Sequence, residues 1–222
     1  MIQLGNVTKT FAGPRPRTLL DRVCLDVAPG ELVAILGESG VGKSTLLNLV
    51  AGLDRPDAGT IAVAGQDLAT MSDDELTRFR RKHVGFVFQA FHVLPYLTVA
   101  QNVALPLELL EWGRADVDAR VTAMLGAVGL GDRAGSMPRE LSGGELQRTA
   151  IARALAHRPA IVLADEPTGN LDPSTAAGVI ELLRHRVHGE GACGLLVTHS
   201  RTAAAVADRV LALTVAGLEE VA

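Results

Sequence analysis

LVAIL at residues 32–36 runs directly into GESGVGKST at residues 37–45, and a helical run, TLLNLVAGL, occupies residues 45–53. An apolar strand, a glycine-rich loop with Lys-Ser at its end, and a helix together form the phosphate-loop pattern. The glycines let backbone N–H groups turn toward phosphate oxygens, and the helix N-terminus adds a positive dipole. The alternative is a turn that only joins strand to helix, but such a turn needs neither the lysine nor the hydroxyl.

The loop therefore predicts a nucleotide site in which Lys43 reaches the terminal phosphates and the Ser44 hydroxyl can bind Mg²⁺. The predicted phosphate-binding residues are Gly37, Glu38, Ser39, Gly40, Val41, Gly42, Lys43, Ser44 and Thr45.

A second apolar strand, IVLA at residues 161–164, ends in the adjacent carboxylates Asp165 and Glu166. Side chains alternate direction along a strand, so the two acids can serve different roles. We predict that Asp165 holds Mg²⁺ through water and that Glu166 is the general base for an attacking water. The alternative is an acidic pair in turn chemistry ahead of the next helix. Because ligands gather at the carboxyl ends of parallel strands, the two motifs together predict a nucleoside triphosphatase.

Composition sets limits on partners and compartment. The 222 residues carry a formal net charge of −4, which gives no general attraction to nucleic acid. The basic cluster at residues 78–83 follows a capping box at Ser72 and is interpreted as a helix end. Two cysteines, Cys24 and Cys193, are expected to be small buried side chains, with no disulfide and no structural metal. Neither a spanning segment nor a targeting segment is evident, so we expect a cytoplasmic chain whose membrane contact is peripheral.

Strand-like runs alternate with helical ones, which predicts an α/β fold. Strands are predicted at residues 31–36, 60–64, 84–88, 161–164, 195–198 and 209–213. Two of these are continuously apolar, as is typical of parallel strands covered on both faces. Between residues 91 and 159 the pattern turns helical, with a capping box at Thr98 and a helix over 115–128. We interpret this stretch as a helical lobe of a single domain spanning 1–222.

The run LSGGELQR at residues 141–148 resembles the signature motif of the ABC ATPase superfamily. Other motifs of that family match in order: Gln89 resembles the Q-loop glutamine, Asn170-Leu171-Asp172 the D-loop, and His199 the switch histidine. The resemblance implies a mostly parallel central sheet with an antiparallel β lobe and an inserted helical lobe. The core and β lobe would be residues 1–90 and 160–222, and the helical lobe residues 91–159.

The resemblance also implies how the site works. Within one chain the family keeps the signature far from the phosphate loop, so two copies pair as a homodimer with each ATP between the loop of one and Ser142, Gly143 and Gly144 of the other. His199 would contact the γ-phosphate and help to orient the attacking water, although a lone histidine at a strand end is usually structural. Asp172 would link the two sites. Gln89 would sense the nucleotide and bind Mg²⁺.

Phe11 stands where the family often stacks an aromatic ring on adenine, although tyrosine is usual there. The alternative for Phe11 is a core phenylalanine.

The closest resemblance is to the ATPases of lipoprotein-releasing, macrolide-exporting and FtsE-like cell-division systems, through GFVFQ at 85–89, NVALPL at 102–107 and PTGNLD at 167–172. Gln101 departs from the usual glutamate of these relatives, and Ala216-Gly217 from a frequent Asp-Gly turn. Such a subunit would drive an integral membrane permease, gripping it through apolar residues 91–96, although these could instead pack under the helical lobe. Rival readings are a soluble ABC ATPase of DNA repair or translation, or an adaptor that does not hydrolyse ATP. The first would need a long heptad insertion or a second cassette, and intact Glu166 and His199 oppose the second.

Overall fold

The computed structural model describes residues 1–11, 17–169, 171–214 and 217–221. Two sheets and seven α-helices account for most of these residues. The strands are β1 Ile2–Phe11, β2 Arg17–Val27, β3 Leu32–Leu36, β4 Ala58–Val63, β5 Gln66–Asp67, β6 Val84–Val87, β7 Ile161–Asp165, β8 Cys193–Val197, β9 Arg209–Thr214 and β10 Gly217–Glu220. The helices are α1 Lys43–Val50, α2 Asp73–His83, α3 Val99–Leu109, α4 Arg114–Ala127, α5 Gly143–Ala156, α6 Pro173–Glu190 and α7 Arg201–Ala204.

The larger sheet has six strands in the order β10-β9-β3-β8-β7-β6. All neighbours are parallel except the edge strand β10, which pairs antiparallel with β9. The smaller sheet, in the order β2-β1-β4-β5, is antiparallel throughout. The predicted mostly parallel sheet with an antiparallel β lobe is therefore confirmed.

The apolar strands of the large sheet are buried on both faces, as their continuous hydrophobicity predicts. Val33 and Ile35 of β3 face one core, which the small sheet and α1 complete. Leu32 and Ala34 of the same strand face a second core, which α3, α4, α5 and α6 complete. One five-residue strand thus separates the two cores, because its side chains alternate.

Helix starts follow the capping signals in the sequence. Ser72 and Thr98 each close a capping box, with Glu75 and Gln101 as the reciprocal partners. Basic residues fill the last turn of α2, as predicted, where they complement the helix dipole. The helices α3, α4 and α5 lie between residues 99 and 156. Of the helices among the described residues, none is long and apolar enough to cross a membrane.

Cys24 corrects one expectation. Its neighbours Val23 and Leu25 are buried in the core, so the alternation of β2 turns Cys24 to the opposite, exposed face. Its sulfur accepts a hydrogen bond from the Asn6 backbone N–H at 3.3 Å. Cys193 is buried as expected, with 1% of its surface exposed.

Candidate functional site

The glycine-rich loop joins β3 to α1 and presents an uncapped helix N-terminus. Gly40 and Gly42 take left-handed conformations, with φ of 77° and 116°, which L side chains adopt only with strain. Gly42 precedes the first residue of α1, and no side chain caps that helix. The first N–H groups of α1 therefore remain available to an anion.

The backbone of this loop holds the Lys43 side chain in place. Its ammonium donates to the carbonyl oxygens of Gly37 at 2.7 Å and Glu38 at 2.8 Å. A lysine ammonium has three donors, so one N–H remains for a further acceptor. The cation is thus positioned inside the loop rather than extended into solvent.

Asp165 ends β7 beside the start of α1. The carboxyl group is buried, with 9% of the residue exposed, and the Ser44 hydroxyl hydrogen-bonds to it. Burial raises its pKa above the ordinary 3.8, and the nearby charge of Glu166 adds to this, while the bond from Ser44 and the charge of Lys43 oppose it. A cation placed here would favour the ionised carboxylate.

Glu166 begins the turn after β7 in a left-handed conformation, with φ of 47°. Its backbone N–H donates to the Val197 carbonyl at 2.9 Å, which ties the turn to the end of β8. Its carboxylate Oε1 lies 2.9 Å from Nδ1 of His199, and Oε2 accepts from the Thr198 hydroxyl at 3.4 Å. A carboxylate only accepts, so Nδ1 carries the proton in this contact. The Glu166 side chain is 12% exposed and that of His199 is 75% exposed, so the pair opens to solvent on the histidine side.

These groups line one cleft of about 340 Å³, which we call the loop cleft. It brings together residues predicted from four separate motifs, at the carboxyl ends of the parallel strands. Its lining residues are Leu19, Gly37, Ser39, Gly40, Gly42, Lys43, Ser44, Thr45, Gln89, Asp165, Glu166 and His199. Glu38 and Val41 belong to the same loop but do not line the cleft. Leu19 of β2 and the supporting Thr198 were missed, because no motif marks either residue.

The signature residues lie elsewhere. Ser142 caps α5, accepting from the Glu145 N–H at 3.3 Å, and the Glu145 carboxylate accepts from the Ser142 N–H at 2.8 Å. Gly143 and Gly144 open the helix, and neither they nor Ser142 line the loop cleft. Within one chain this second helix N-terminus is thus separate from the cleft.

Two further predicted residues do not line the cleft either. Asp172 caps α6, accepting from the backbone N–H groups of Ser174 and Thr175 at 3.1 Å each. Its pKa is lowered strongly by the hydrogen bonds of Ser174 and Thr175. Asn170, its predicted partner in the D-loop, lies outside the described residues.

Phe11 ends β1, is 48% exposed and has the Lys9 ammonium 5.7 Å from its ring centroid. The core alternative for Phe11 is therefore wrong, and its adenine role stays a prediction.

Three features define this chain as a phosphate-loop nucleoside triphosphatase: a glycine-rich loop with an inward lysine, an acidic strand end, and a carboxylate-histidine pair. Comparison with known proteins carries this further. The family model described as "ABC transporter" matches residues 20–169. The chain belongs to the ABC transporter family, as the ATP-binding ATPase part of it.

Individual relatives are similar in sequence to this chain along almost its whole length. The lipoprotein-releasing system ATP-binding protein LolD 2 of Caulobacter vibrioides is 46% identical over 216 residues, which are 97% of this chain and 94% of that protein. The macrolide export ATP-binding/permease protein MacB of Burkholderia pseudomallei is 43% identical over 96% of this chain, which spans 33% of that longer protein.

Among solved structures, the dimeric ABC transporter cassette MJ0796 is 39% identical, with a TM-score of 0.93 and coverage of 99% of this chain and 98% of that one. Another dimeric structure of that cassette, in a post-hydrolysis state bound to ADP and Pi, gives a TM-score of 0.92 at 38% identity.

Proposed function

We propose that this chain is the ATP-hydrolysing subunit of a transporter of the lipoprotein-releasing or macrolide-exporting type. It would work as a homodimer on the cytoplasmic face of a membrane and drive a membrane permease. One observation carries the proposal: the lysine loop, Asp165, Glu166 and His199 share a cleft that lacks the signature residues 142–144. A second copy completes it by supplying its own α5 N-terminus.

Binding of the triphosphate depends on donors that are already in place. The free N–H groups at the start of α1 and the third N–H of Lys43 face the same cleft. The α5 N-terminus of the second copy adds the Ser142 hydroxyl and the N–H groups of Gly143 and Gly144. Because these donors come from two chains, the nucleotide itself holds the dimer together.

Mg²⁺ fits the oxygen donors of the cleft. Ser44, Asp165 and Gln89 line it together, and they offer a hydroxyl, a carboxylate and an amide oxygen. Such hard oxygen ligands are those that Mg²⁺ prefers, and the raised pKa of Asp165 marks a carboxylate that a cation would stabilise. When bound, Mg²⁺ would offset the negative charge of the terminal phosphates.

We assign Glu166 the role of general base. Its carboxylate takes a proton from the attacking water, whose oxygen forms the new bond to the γ-phosphorus as the bond to the bridging oxygen breaks. His199 holds Oε1 and Thr198 holds Oε2, so the carboxylate keeps one orientation. General base catalysis of this kind contributes about 10²–10⁴ in rate. Nε2 of His199 can donate to the γ-phosphate when the ring is protonated at both nitrogens.

The substitution Glu166→Gln tests this assignment. The variant should form a dimer with Mg-ATP on size-exclusion chromatography, because its phosphate contacts survive, while its turnover falls by about 10²–10⁴. Glu181→Gln, on the exposed face of α6, is the matched control and should hydrolyse ATP normally. A Glu166→Gln chain that stays monomeric with ATP, or that turns over at the normal rate, contradicts the assignment.

The permease surface is proposed at residues 91–96. Asn102, fully buried, accepts from the Leu94 N–H at 2.8 Å and donates to the carbonyls of Leu94 and Leu97, each at 3.1 Å. Arg153 donates to the carbonyl of His92 at 2.7 Å. The backbone is thus fixed while the side chains of Tyr96 and Leu94 are 89% and 41% exposed. A rigid backbone that displays apolar side chains suits a protein partner.

Tyr96→Ala and Leu94→Ala should each weaken copurification of the tagged chain with the membranes of its source cells, without changing ATP binding. Leu53→Ala is the matched control, because Leu53 is 49% exposed and lies outside this segment. Equal recovery of all three variants with the membranes would place the permease contact elsewhere.

A further inference from the structure

A second cleft, of about 700 Å³, lies away from the loop cleft, and we call it the basal cleft. It is lined by Lys82, His83, Leu110, Trp112, His157, Arg158, Pro159, Ala160, Glu190 and Gly191. None of these residues belongs to the phosphate loop, the acidic strand end or the signature motif.

The two clefts lie at opposite ends of the same three parallel strands. The strands β6, β7 and β8 begin just after the cleft residues 82–83, 157–160 and 190–191, respectively. At their other ends lie Gln89, Asp165 and His199 of the loop cleft. A five-residue strand spans about 16 Å. The basal cleft is therefore a separate site, at the end of these strands that lies opposite to the loop cleft.

Positive charge in the basal cleft exceeds what its surroundings neutralise. The carbonyl ends of α2, α5 and α6 meet here, and their partial negative charge offsets part of the positive charge of Lys82 and Arg158. Arg120, behind the cleft, donates to the Ala156 carbonyl at the end of α5 at 2.7 Å. Glu190 forms an ion pair with Arg186 at 2.6 Å. Within the described part of the chain, the side chains of Lys82 and Arg158 have neither a hydrogen bond nor an ion pair.

His157, at the inner wall, is a buried polar side chain with an incomplete set of partners. It is 8% exposed, and neither ring nitrogen makes a hydrogen bond of ordinary geometry with the described residues. The Val84 backbone lies near the ring, but burial dominates and lowers the pKa of His157 to about 4. The ring is neutral at ordinary pH, and both of its nitrogens are shielded from solvent, so His157 forms a buried part of the inner wall.

The remaining wall is apolar. Trp112, Leu110 and Pro159 form it, and Trp112 is the one tryptophan of the chain. A cleft of a few hundred Å³ with an apolar wall and a few convergent polar groups is typical of small-molecule sites.

We propose that the basal cleft binds a small organic anion with a flat apolar body, its anionic group between Lys82 and Arg158 and its body against Trp112. A sulfonate, a carboxylate or a phosphate monoester supplies the anionic group equally well, because all offer several acceptor oxygens to lysine and arginine.

The indole N–H of Trp112 gives a single tryptophan resonance in a proton–nitrogen correlation spectrum, which makes it a local reporter. Titration of the full chain with anilinonaphthalene sulfonate should shift this resonance saturably. Phenylnaphthylamine, which has the same rings but no anionic group, should bind at least about tenfold more weakly. Saturating ADP should leave the sulfonate-induced shift in place, because the loop cleft is separate.

Charge variants decide the outcome. Lys82→Gln and Arg158→Gln should each weaken the sulfonate by about tenfold, whereas Glu190→Gln should strengthen it by removing the opposing charge. Arg81→Gln is the matched control, since Arg81 is an exposed cation on α2 that does not line the cleft. Equal binding of the charged and neutral probes, displacement by ADP, or losses in Lys82→Gln and Arg158→Gln no greater than in Arg81→Gln would each overturn the proposal.

Discussion

Replacing Lys43 with methionine removes the cation from the phosphate loop while keeping a side chain of similar length. In the structure two of the three N–H groups of Lys43 donate to the carbonyls of Gly37 and Glu38, which leaves one for a phosphate. One charge-assisted hydrogen bond contributes about 1.5–3 kcal/mol, so we expect ATP affinity to fall by up to about a hundredfold. The two loop carbonyls can instead bond to water, so the nucleotide-free chain should lose only about 1 kcal/mol of unfolding free energy.

Thermal unfolding with and without ATP separates these two effects. At an ATP concentration of about 100 times the wild-type Kd, binding stabilises the wild type by about 2.7 kcal/mol. The Lys43→Met variant, with an affinity about a hundredfold lower, would gain only about 0.4 kcal/mol at the same concentration. For a chain of this size the ATP-induced rise in Tm is then about 5–10 °C in the wild type and about 1 °C in the variant.

Arg78→Met is the matched control, because Arg78 is an exposed cation on α2 that does not line the loop cleft. It should keep the full ATP-induced rise in Tm. If Lys43→Met also keeps that rise, Lys43 does not bind the phosphates, and its third N–H has another role.

His199→Ala, which removes the 2.9 Å contact to Glu166, should lower steady-state turnover at saturating ATP by about tenfold or more; unchanged turnover would show that the contact is only structural. Gly85→Ala should lower the unfolding free energy by about 1–3 kcal/mol in urea, because its Cβ would meet a backbone carbonyl of α5, whereas Gly178→Ala in α6 has open space and should gain about 0.5–1 kcal/mol. Asp165→Asn should abolish turnover and raise the Tm of the nucleotide-free chain at neutral pH. Because folding raises the carboxyl pKa of Asp165, the wild type loses stability as the pH rises above 3.8, and the uncharged amide does not. An Asp165→Asn Tm below the wild-type value across pH 5–8 would contradict this sign.

Much of the fold could be predicted because its central strands carry an unambiguous signal. Residues 161–165 and 193–197 are buried throughout, and an uninterrupted apolar run predicts a strand with both faces covered. The first strands gave a weaker signal. Asn6 and Arg22 adopt left-handed conformations, and the pairing of β1 with β2 shifts register along its length, so the alternation of apolar residues is interrupted.

The error at Cys24 has a simple cause. Apolar neighbours do not indicate burial in a strand, because the neighbours of a residue point to the opposite face. Strict alternation over residues 23–27, with Val23, Leu25 and Val27 inward, would have placed Cys24 outside.

In the loop cleft, the sequence identified residues that lie in motifs and missed those that only three-dimensional proximity recruits. Leu19 comes from β2, far from the loop along the chain, and Thr198 supports Glu166 from the next strand. The basal cleft was missed for the same reason. Lys82 belongs to the end of α2, as the sequence predicts, but the cleft that it lines with Arg158 depends on how α2 and α5 end against the sheet.

The division of β3 between two cores has a consequence for synthesis on the ribosome. Val33 and Ile35 pack in a core that also contains Leu163 and Leu195, which are translated more than a hundred residues later. At about 5–20 residues per second, β3 waits roughly 6–32 s for those neighbours to be translated. Until then the nascent chain carries β3 without its neighbours β8 and β9 in the sheet, and chaperones that shield unpaired strands should govern its yield.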